Sequence, residues 1–389
     1  MNSFKSFFSR NRESLKVAGL VLIWLCISTL LMVIAANRLY VNPDQAYSWM
    51  NSSFLANDAN KTLLMMHVRM DSVWYLSIVN NGYVYTGSGL SNIVFFPLYP
   101  TLIKIVSLFG VDKILAGILI SFTSIVFSSI FLMKLVDKFH KTINKMEAVF
   151  IMLIFPTAIF FRVVYTEALF FLLVISFFYF LLSKKYSLAL ILGLLASFTR
   201  LTGIALIVPF FLEYMGILSV KDIYTTIKNI QIKRVMKGIL GSLVISLGPI
   251  ILWTYFLFRF GDFFLFTKVE QAWGRGVGLI NLDHFIFISS SLYANLALDI
   301  CGLLLLIITL IYSFKKLRLS YFAYCLFILL SIIYSGTLMS INRYILVLFP
   351  IYLMIGSIKS TNIKNLIFYA LISLQMLYII LFVVGYWAG

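Results

Sequence analysis

Acidic residues are scarce in this chain: 14 Asp and Glu stand against 31 Lys and Arg in 389 residues, and charged residues of either sign make up only 12%. Soluble globular domains carry about 25% charged residues, so a chain with this few and with 62% hydrophobic positions cannot coat a soluble surface. It is an all-α polytopic membrane protein by composition. Cysteine is nearly absent as well. Cys26, Cys301 and Cys325 stand singly in apolar runs without CxxC spacing, which excludes a disulfide framework and a zinc site of that type. The chain has no D-x-D pair to hold a metal-bound diphosphate and no glycine-rich dinucleotide turn, so a nucleotide-sugar site built on those devices is excluded too. No metal and no cofactor is expected, and dependence on a divalent ion stays open. The formal charge of +17 does not indicate nucleic acid, because Lys and Arg occur in short clusters between apolar runs, as orientation signals do.

Hydropathy marks about eleven spans: Leu15 to Ala36, Ile114 to Val136, Glu147 to Arg162, Thr166 to Leu182, Leu188 to Phe198, Gly203 to Tyr214, Gly238 to Phe258, Ser291 to Phe314, Tyr321 to Thr337, Tyr344 to Ile358 and Leu366 to Tyr386. The first is longer than a signal-peptide core and is followed by Asn37-Arg38, a poor cleavage context, so it is read as a retained anchor. The pair flanking Thr199 to Thr202 could be one long helix. With the N-terminus cytoplasmic, the basic clusters at Lys5 to Lys16, Lys134 to Lys145, Lys184 and Lys185, Lys221 to Lys237, Lys315 to Arg318, and Lys359 and Lys364 all lie inside. The same arrangement gathers Asp71, Tyr165, Glu167, Thr199, Arg200, Gln271 to Arg275, Asn342 and Arg343 on the outer side. One domain is expected over residues 1–389, with extracytoplasmic loops at 37–113 and 259–290. A basic inner loop at 216–237 would rest on anionic lipid.

The stretch from Met65 to Gly110 is the long part that is neither lipid-soluble nor a plain connector. A helix starting near Asp71 would bring Trp74 and Tyr75, three and four residues on, to the face of the acid, with Asp71 at its positively polarised end. Gly82, Gly87 and Gly89 mark a turn region. A short apolar helix from about Pro100 to Phe109 is too short to span and would lie along the membrane surface.

Six blocks in order resemble one family: Asp71-x-x-Trp74-Tyr75-x-x-Ile78 with Gly82-Tyr83; Phe95-Phe96-Pro97-Leu98-Tyr99-Pro100; Pro156 followed by Tyr165-Thr166-Glu167-Ala168-Leu169-Phe170; Thr199-Arg200-x-x-Gly203; Gln271-Ala272-Trp273-Gly274-Arg275; and Arg343-Tyr344 before Phe349-Pro350. They are similar to the PIG-V mannosyltransferases and their bacterial relatives, within the membrane-embedded GT-C glycosyltransferases. The chain departs from that pattern at Met70, where the family usually has an aromatic residue. Its composition and lack of a long luminal insert look bacterial, which places the expected site on the outer face of a plasma membrane, in the cell envelope. The resemblance implies a GT-C-like fold whose first outer loop carries two surface helices over a cavity, with an acid in that loop as base.

On that reading Asp71 accepts the proton of an acceptor hydroxyl while a polyprenyl or dolichyl phosphate leaves the sugar with inversion. An aspartate is a weak base at neutral pH, so the proton moves late. Arg200, Arg275 and Arg343 would hold the leaving phosphate, since the guanidinium fork pairs two oxygens and stays charged. Glu167, Tyr165, Gln271 and Trp273 would contact the sugar or orient those arginines. Trp74, Tyr75, Gly82, Tyr83, Phe96, Pro97, Tyr99 and Pro100 would frame the loop. The expected partners are a lipid-linked mannose donor, an extracytoplasmic glycan, lipid or protein acceptor, the bilayer, and a partner subunit in one variant of the reading; nucleic acid is not among them. Two other classes compete. A flippase or transporter would show an inverted repeat and broken helices, of which the sequence gives no sign. A non-catalytic subunit of a glycosylation complex would have no need of an acid at position 71. Asp299, alone in an apolar span, is a candidate on that ground only. His67 reads as a plain loop histidine close to Asp71, and His140 and His284 as loop residues.

Overall fold

The computed structural model describes residues 2–39, 62–87, 89–229, 231–275 and 293–386. The expectation for His284, and those for the parts of the expected loops 37–113 and 259–290 between those stretches, lie outside the described residues. Every regular element among the described residues is a helix. In chain order these are α1 Asn2–Arg38, α2 Thr62–Met65, α3 Asp71–Asn81, α4 Leu98–Ser107, α5 Lys113–Phe139, α6 Lys145–Leu153, α7 Glu167–Leu182, α8 Tyr186–Thr199, α9 Ile207–Met215, α10 Val220–Lys228, α11 Ile232–Phe260, α12 Leu265–Ala272, α13 Tyr293–Lys316, α14 Leu319–Ser335, α15 Ile341–Leu346, α16 Pro350–Gly356 and α17 Thr361–Val384.

Each of the segments marked by hydropathy is helical, but they differ in reach. Five helices, in α1, α5, α11, α13 and α17, are apolar over 22 to 29 residues. At 1.5 Å per residue each exceeds the roughly 30 Å of a hydrocarbon core. Together they make the chain a polytopic all-α membrane protein. α7, α8 and α14 are apolar but shorter, at 16, 14 and 17 residues. α7 is buried along almost its whole length against α5 and α8, whereas α8 and α14 each keep an exposed face.

Two of the marked segments, each containing a proline, are broken helices. Glu147 to Arg162 is α6, then an irregular step through Pro156, then a 3-10 turn at Ala158–Phe161. Tyr344 to Ile358 is the end of α15, a break at Val347, and α16 starting on Pro350. Proline cannot donate to the preceding turn, so each break leaves carbonyls to be satisfied by other parts of the chain. Gln375 of α17 does so for the first, donating to the carbonyls of Leu153 at 2.6 Å and Phe155 at 3.1 Å. The hydroxyl of Thr157 then donates to the Asn342 carbonyl at 2.9 Å, which ties the two broken segments together.

The stretch around Thr199 to Thr202 also resolves into two helices. α8 ends at Thr199, Arg200 is extended, and a 3-10 segment, Leu201–Leu206, leads into α9. A side chain on Gly203 would lie 2.4 Å from the backbone nitrogen of Ser197, so the chain folds tightly onto the end of α8. That fold holds Arg200 in place. α4 begins two residues before the expected Pro100, with Pro97 as its cap, and buries Tyr99, Pro100 and Ile103. It leaves Ile105 exposed, with Leu108 and Phe109 exposed just beyond it.

Candidate active site

Asp71 is the first residue of α3, as its spacing from Trp74 and Tyr75 requires. It is delivered by a tight turn in which the Ser72 amide donates to the Arg69 carbonyl at 3.1 Å. Met70 occupies this turn with φ 50° and ψ −116°. That is the first central position of a type II′ turn, where glycine is usual, and another residue there costs about 1–3 kcal/mol. The side chain of Met70 is buried, which offsets the strain.

Tyr165 holds the turn from below. Its hydroxyl donates to the Arg69 carbonyl at 3.1 Å and accepts the Asp71 amide at 3.2 Å. Asp71 therefore does not cap α3: Met70 is the capping residue, with no side-chain cap, and the carboxylate turns elsewhere. Asp71 Oδ2 accepts from Arg343 Nη1 at 2.6 Å. Arg343 in turn donates from Nε to Glu167 Oε1 at 2.8 Å, and its Nη2 lies 2.7 Å from the same oxygen as an ion pair. The same oxygen accepts from Arg200 Nη1 at 2.6 Å. Four charges from α3, α7, α15 and the α8 break thus form one neutral chain.

This chain is shielded from solvent. Glu167 has no exposed side-chain area, and those of Arg343 and Asp71 are 5% and 12% exposed. The Arg343 guanidinium lies over the rings of Tyr165 at 4.8 Å and Phe160 at 5.1 Å. Burying ion pairs is expensive, and it is sustained here because each cation meets a carboxylate and an aromatic face. Arg343 does not snorkel to a headgroup. One carboxylate oxygen is left over: Glu167 Oε2 is buried with no hydrogen-bond partner among the described residues.

Arg275 joins by way of Tyr344. Its Nη1 donates to the Tyr344 hydroxyl at 3.1 Å, and the Tyr344 ring lies 5.6 Å from the Arg200 guanidinium. Trp273 meets Trp74 edge-on at 5.3 Å and Phe95 at 5.7 Å, closing an aromatic wall beside the acid. Tyr75 sits under that wall, 3.2 Å from the Thr166 hydroxyl, which also accepts from Arg200 at 3.2 Å.

The loop framework is held by contacts within residues 82–95 and by contacts to α12 and α5. Gly82 ends α3 with φ 71°, a conformation that suits a residue without a Cβ. The Tyr83 hydroxyl donates to the Phe95 carbonyl at 2.7 Å. Phe96 packs edge-on against Phe266, and the Tyr99 hydroxyl donates to the Gly117 carbonyl at 3.0 Å.

Tyr165 and Gln271, both expected to contact a sugar, are placed differently from each other. Tyr165 is fully buried with its hydroxyl engaged in the Asp71 turn, so it positions the acid and presents no face to a sugar. Gln271 is exposed near the end of α12, outside the charged chain.

Thr166 and Glu270 carry no separate signal in the sequence, and Asn342 and Asp299 give none of being paired. Glu270, 3.8 Å from Arg275, is a carboxyl whose affinity for protons is raised by burial, against the pull of that arginine and with the help of Asp71. Asn342 donates to Asp299 Oδ1 at 2.8 Å, so the lone acid of α13 braces the turn that carries Arg343.

His67 is buried in a second network rather than in an open loop. Its Nδ1–H donates to the Leu63 carbonyl at 3.0 Å and its Nε2 accepts from Arg162 at 3.2 Å. Burial, with that guanidinium, lowers its pKa to about 4, so the ring is neutral. Arg162 itself is bound to Ser28 and Thr29 of α1.

The described residues thus form a polytopic all-α membrane protein with a buried, charge-balanced cluster beside an aromatic wall. The model of the mannosyltransferase (PIG-V) family matches residues 16–276, more than half of the chain. The chain belongs to that family and is a membrane mannosyltransferase. A comparison with curated proteins found no match.

Proposed function

We propose that the chain transfers mannose from a polyprenyl-phosphate donor to an extracytoplasmic acceptor with inversion, using Asp71 as the base. The observation that supports this most is the state of the Asp71 carboxylate. One oxygen is fixed by Arg343 at 2.6 Å, and the other, Oδ1, has no hydrogen-bond partner among the described residues. An acid held on one side and open on the other is oriented to receive a proton.

In the reaction the acceptor oxygen bonds to the anomeric carbon and its proton passes to Asp71 Oδ1. The carbon–oxygen bond to the phosphate breaks, and the polyprenyl phosphate leaves with the electron pair. Arg275 and the outward edge of Arg200 are suited to that phosphate, because Arg343 is already committed to two carboxylates. Trp74 and Trp273 supply an apolar wall against which a sugar ring would pack and from which water is excluded.

The lipid tail would enter between the apolar helices, which agrees with the outward orientation read from the basic clusters. The broken helices do not favour transport: Thr157 ties the first break to α15, and Gln375 ties it to α17.

The test is label transfer from radiolabelled polyprenyl-phosphate mannose to membrane extract by the reconstituted protein. Asp71→Asn keeps the hydrogen bond to Arg343 within reach and is expected to lower transfer by at least about 100-fold. Equal transfer by wild type and variant would remove Asp71 as the base.

A further inference from the structure

At the end of the bundle formed by the start of α8, the end of α9 and the start of α11, an open cleft of about 340 Å³ is lined by Tyr186, Tyr214, Gln231, Lys233, Arg234 and Lys237. Three of its six residues are cationic, and none is acidic. The nearby carboxylates are occupied. Glu213 accepts from Arg318 at 3.0 Å and from the Ser320 hydroxyl at 2.6 Å, and Asp222 closes the cap of α10. Arg234 is oriented by donating to the Tyr214 carbonyl at 2.8 Å, and the positive end of the 29-residue α11 starts beside it.

α10 lies between the elements that build the cleft. It begins with a complete capping box, Ser219 with Asp222, so the helix is locally specified and does not depend on packing for its start. None of its residues is buried. Ile223, Tyr224 and Ile227, at helical spacing along one face, are 36%, 74% and 63% exposed, and Val220 is 51% exposed. Lys221 and Lys228 flank that stripe. An apolar face bordered by cations, followed within a few residues along the chain by the lining of a cationic cleft, matches one surface chemically: acyl chains for the face and phosphate for the cleft.

We propose that α10 and this cleft form a seat for an anionic phospholipid, with its phosphate held by Lys233, Arg234 and Lys237 and its acyl chains against Ile223, Tyr224 and Ile227. The seat belongs to the end of the molecule where the basic inner loop lies, away from Asp71. It does not depend on the proposed reaction.

The experiment is native mass spectrometry of the full chain in neutral detergent with equimolar phosphatidylglycerol and phosphatidylcholine. Wild type is expected to retain phosphatidylglycerol preferentially. Lys233→Gln combined with Lys237→Gln, at two exposed positions, is expected to reduce that preference by about fivefold per charge, on the order of 25-fold together. Raising the salt on wild type tests the same attraction with no substitution and is expected to release the lipid. Ile223→Ser with Ile227→Ser is expected to weaken retention as well, since the acyl chains lose their contact. Equal retention of both lipids by wild type, or unchanged preference in the lysine variant, would overturn the proposal. So would displacement of the lipid by an equal concentration of glycerol 3-phosphate, which would identify a free-anion site.

Discussion

Glu167→Gln isolates the electrostatic logic of the candidate site without altering its shape. In the native cluster Asp71 and Glu167 balance Arg200 and Arg343, and three arginine nitrogens lie 2.6, 2.8 and 2.7 Å from Glu167 Oε1, the first two as hydrogen-bond donors. Glutamine retains an acceptor at that place but leaves one positive charge in excess, where Arg343 is 5% exposed and Arg200 14%. Breaking a buried ion pair from one side costs about 3–5 kcal/mol. At about 2 °C per kcal/mol this is a fall in Tm of about 6–10 °C, read from tryptophan fluorescence of the purified protein in detergent. Adding Arg200→Gln restores neutrality. The double variant is therefore expected to be more stable than the sum of the two single losses by about 1–3 kcal/mol. A single variant within about 1 °C of wild type, or strictly additive losses, would refute the charge-balanced cluster.

Two further outcomes follow from particular residues. His67 is neutral in the folded protein, with a pKa lowered to about 4, whereas the unfolded chain takes up a proton near 6.5. Its contribution to stability is present above pH 6.5 and is lost as pH falls to about 4, by about 3 kcal/mol. Thermal unfolding across that window is expected to show a smaller pH dependence in His67→Gln, and identical slopes would refute the buried neutral ring. Gly203→Ala would set a methyl group 2.4 Å from the Ser197 nitrogen and 2.5 Å from the Ala196 carbonyl carbon, both backbone atoms that cannot move aside. The expected loss is about 1–3 kcal/mol or more, with displacement of Arg200 and reduced transfer, and a variant of native Tm and activity would contradict the close approach.

Within the site, spacing was enough for some residues and not for others. Asp71, Trp74 and Tyr75 share one helix, so the 3.6-residue period alone was sufficient to bring them together. Asp71, Glu167, Arg200 and Arg343 were legible as candidates because each lies in a recognisable block and the basic clusters put all four on one side; nothing local to any of them says that one carboxylate oxygen would receive donors from two arginines. Tyr165 shows the limit from the other side. Its place in a block suggested a sugar contact, but its hydroxyl spans the Arg69 and Asp71 backbone, a pairing that exists only after the first outer loop has folded onto the turn before α7. His67 and Arg162 read as ordinary loop and span-end residues for the same reason, since their partners are 95 positions apart.

The amino-acid sequence by itself determined the class and the helices. Sparse charge and long apolar runs exclude a soluble globule, helix is the conformation that satisfies a backbone in lipid, and basic clusters bias orientation, all of which act locally along the chain. Tertiary structure alone decided how far each helix runs, where Glu147 to Arg162 and Tyr344 to Ile358 break, and which side chains meet. A break is stable only where another segment satisfies the freed carbonyls, as Gln375 does, and a buried charge is stable only where an opposite charge arrives from elsewhere. Those conditions depend on residues far apart in sequence, and no local pattern encodes them.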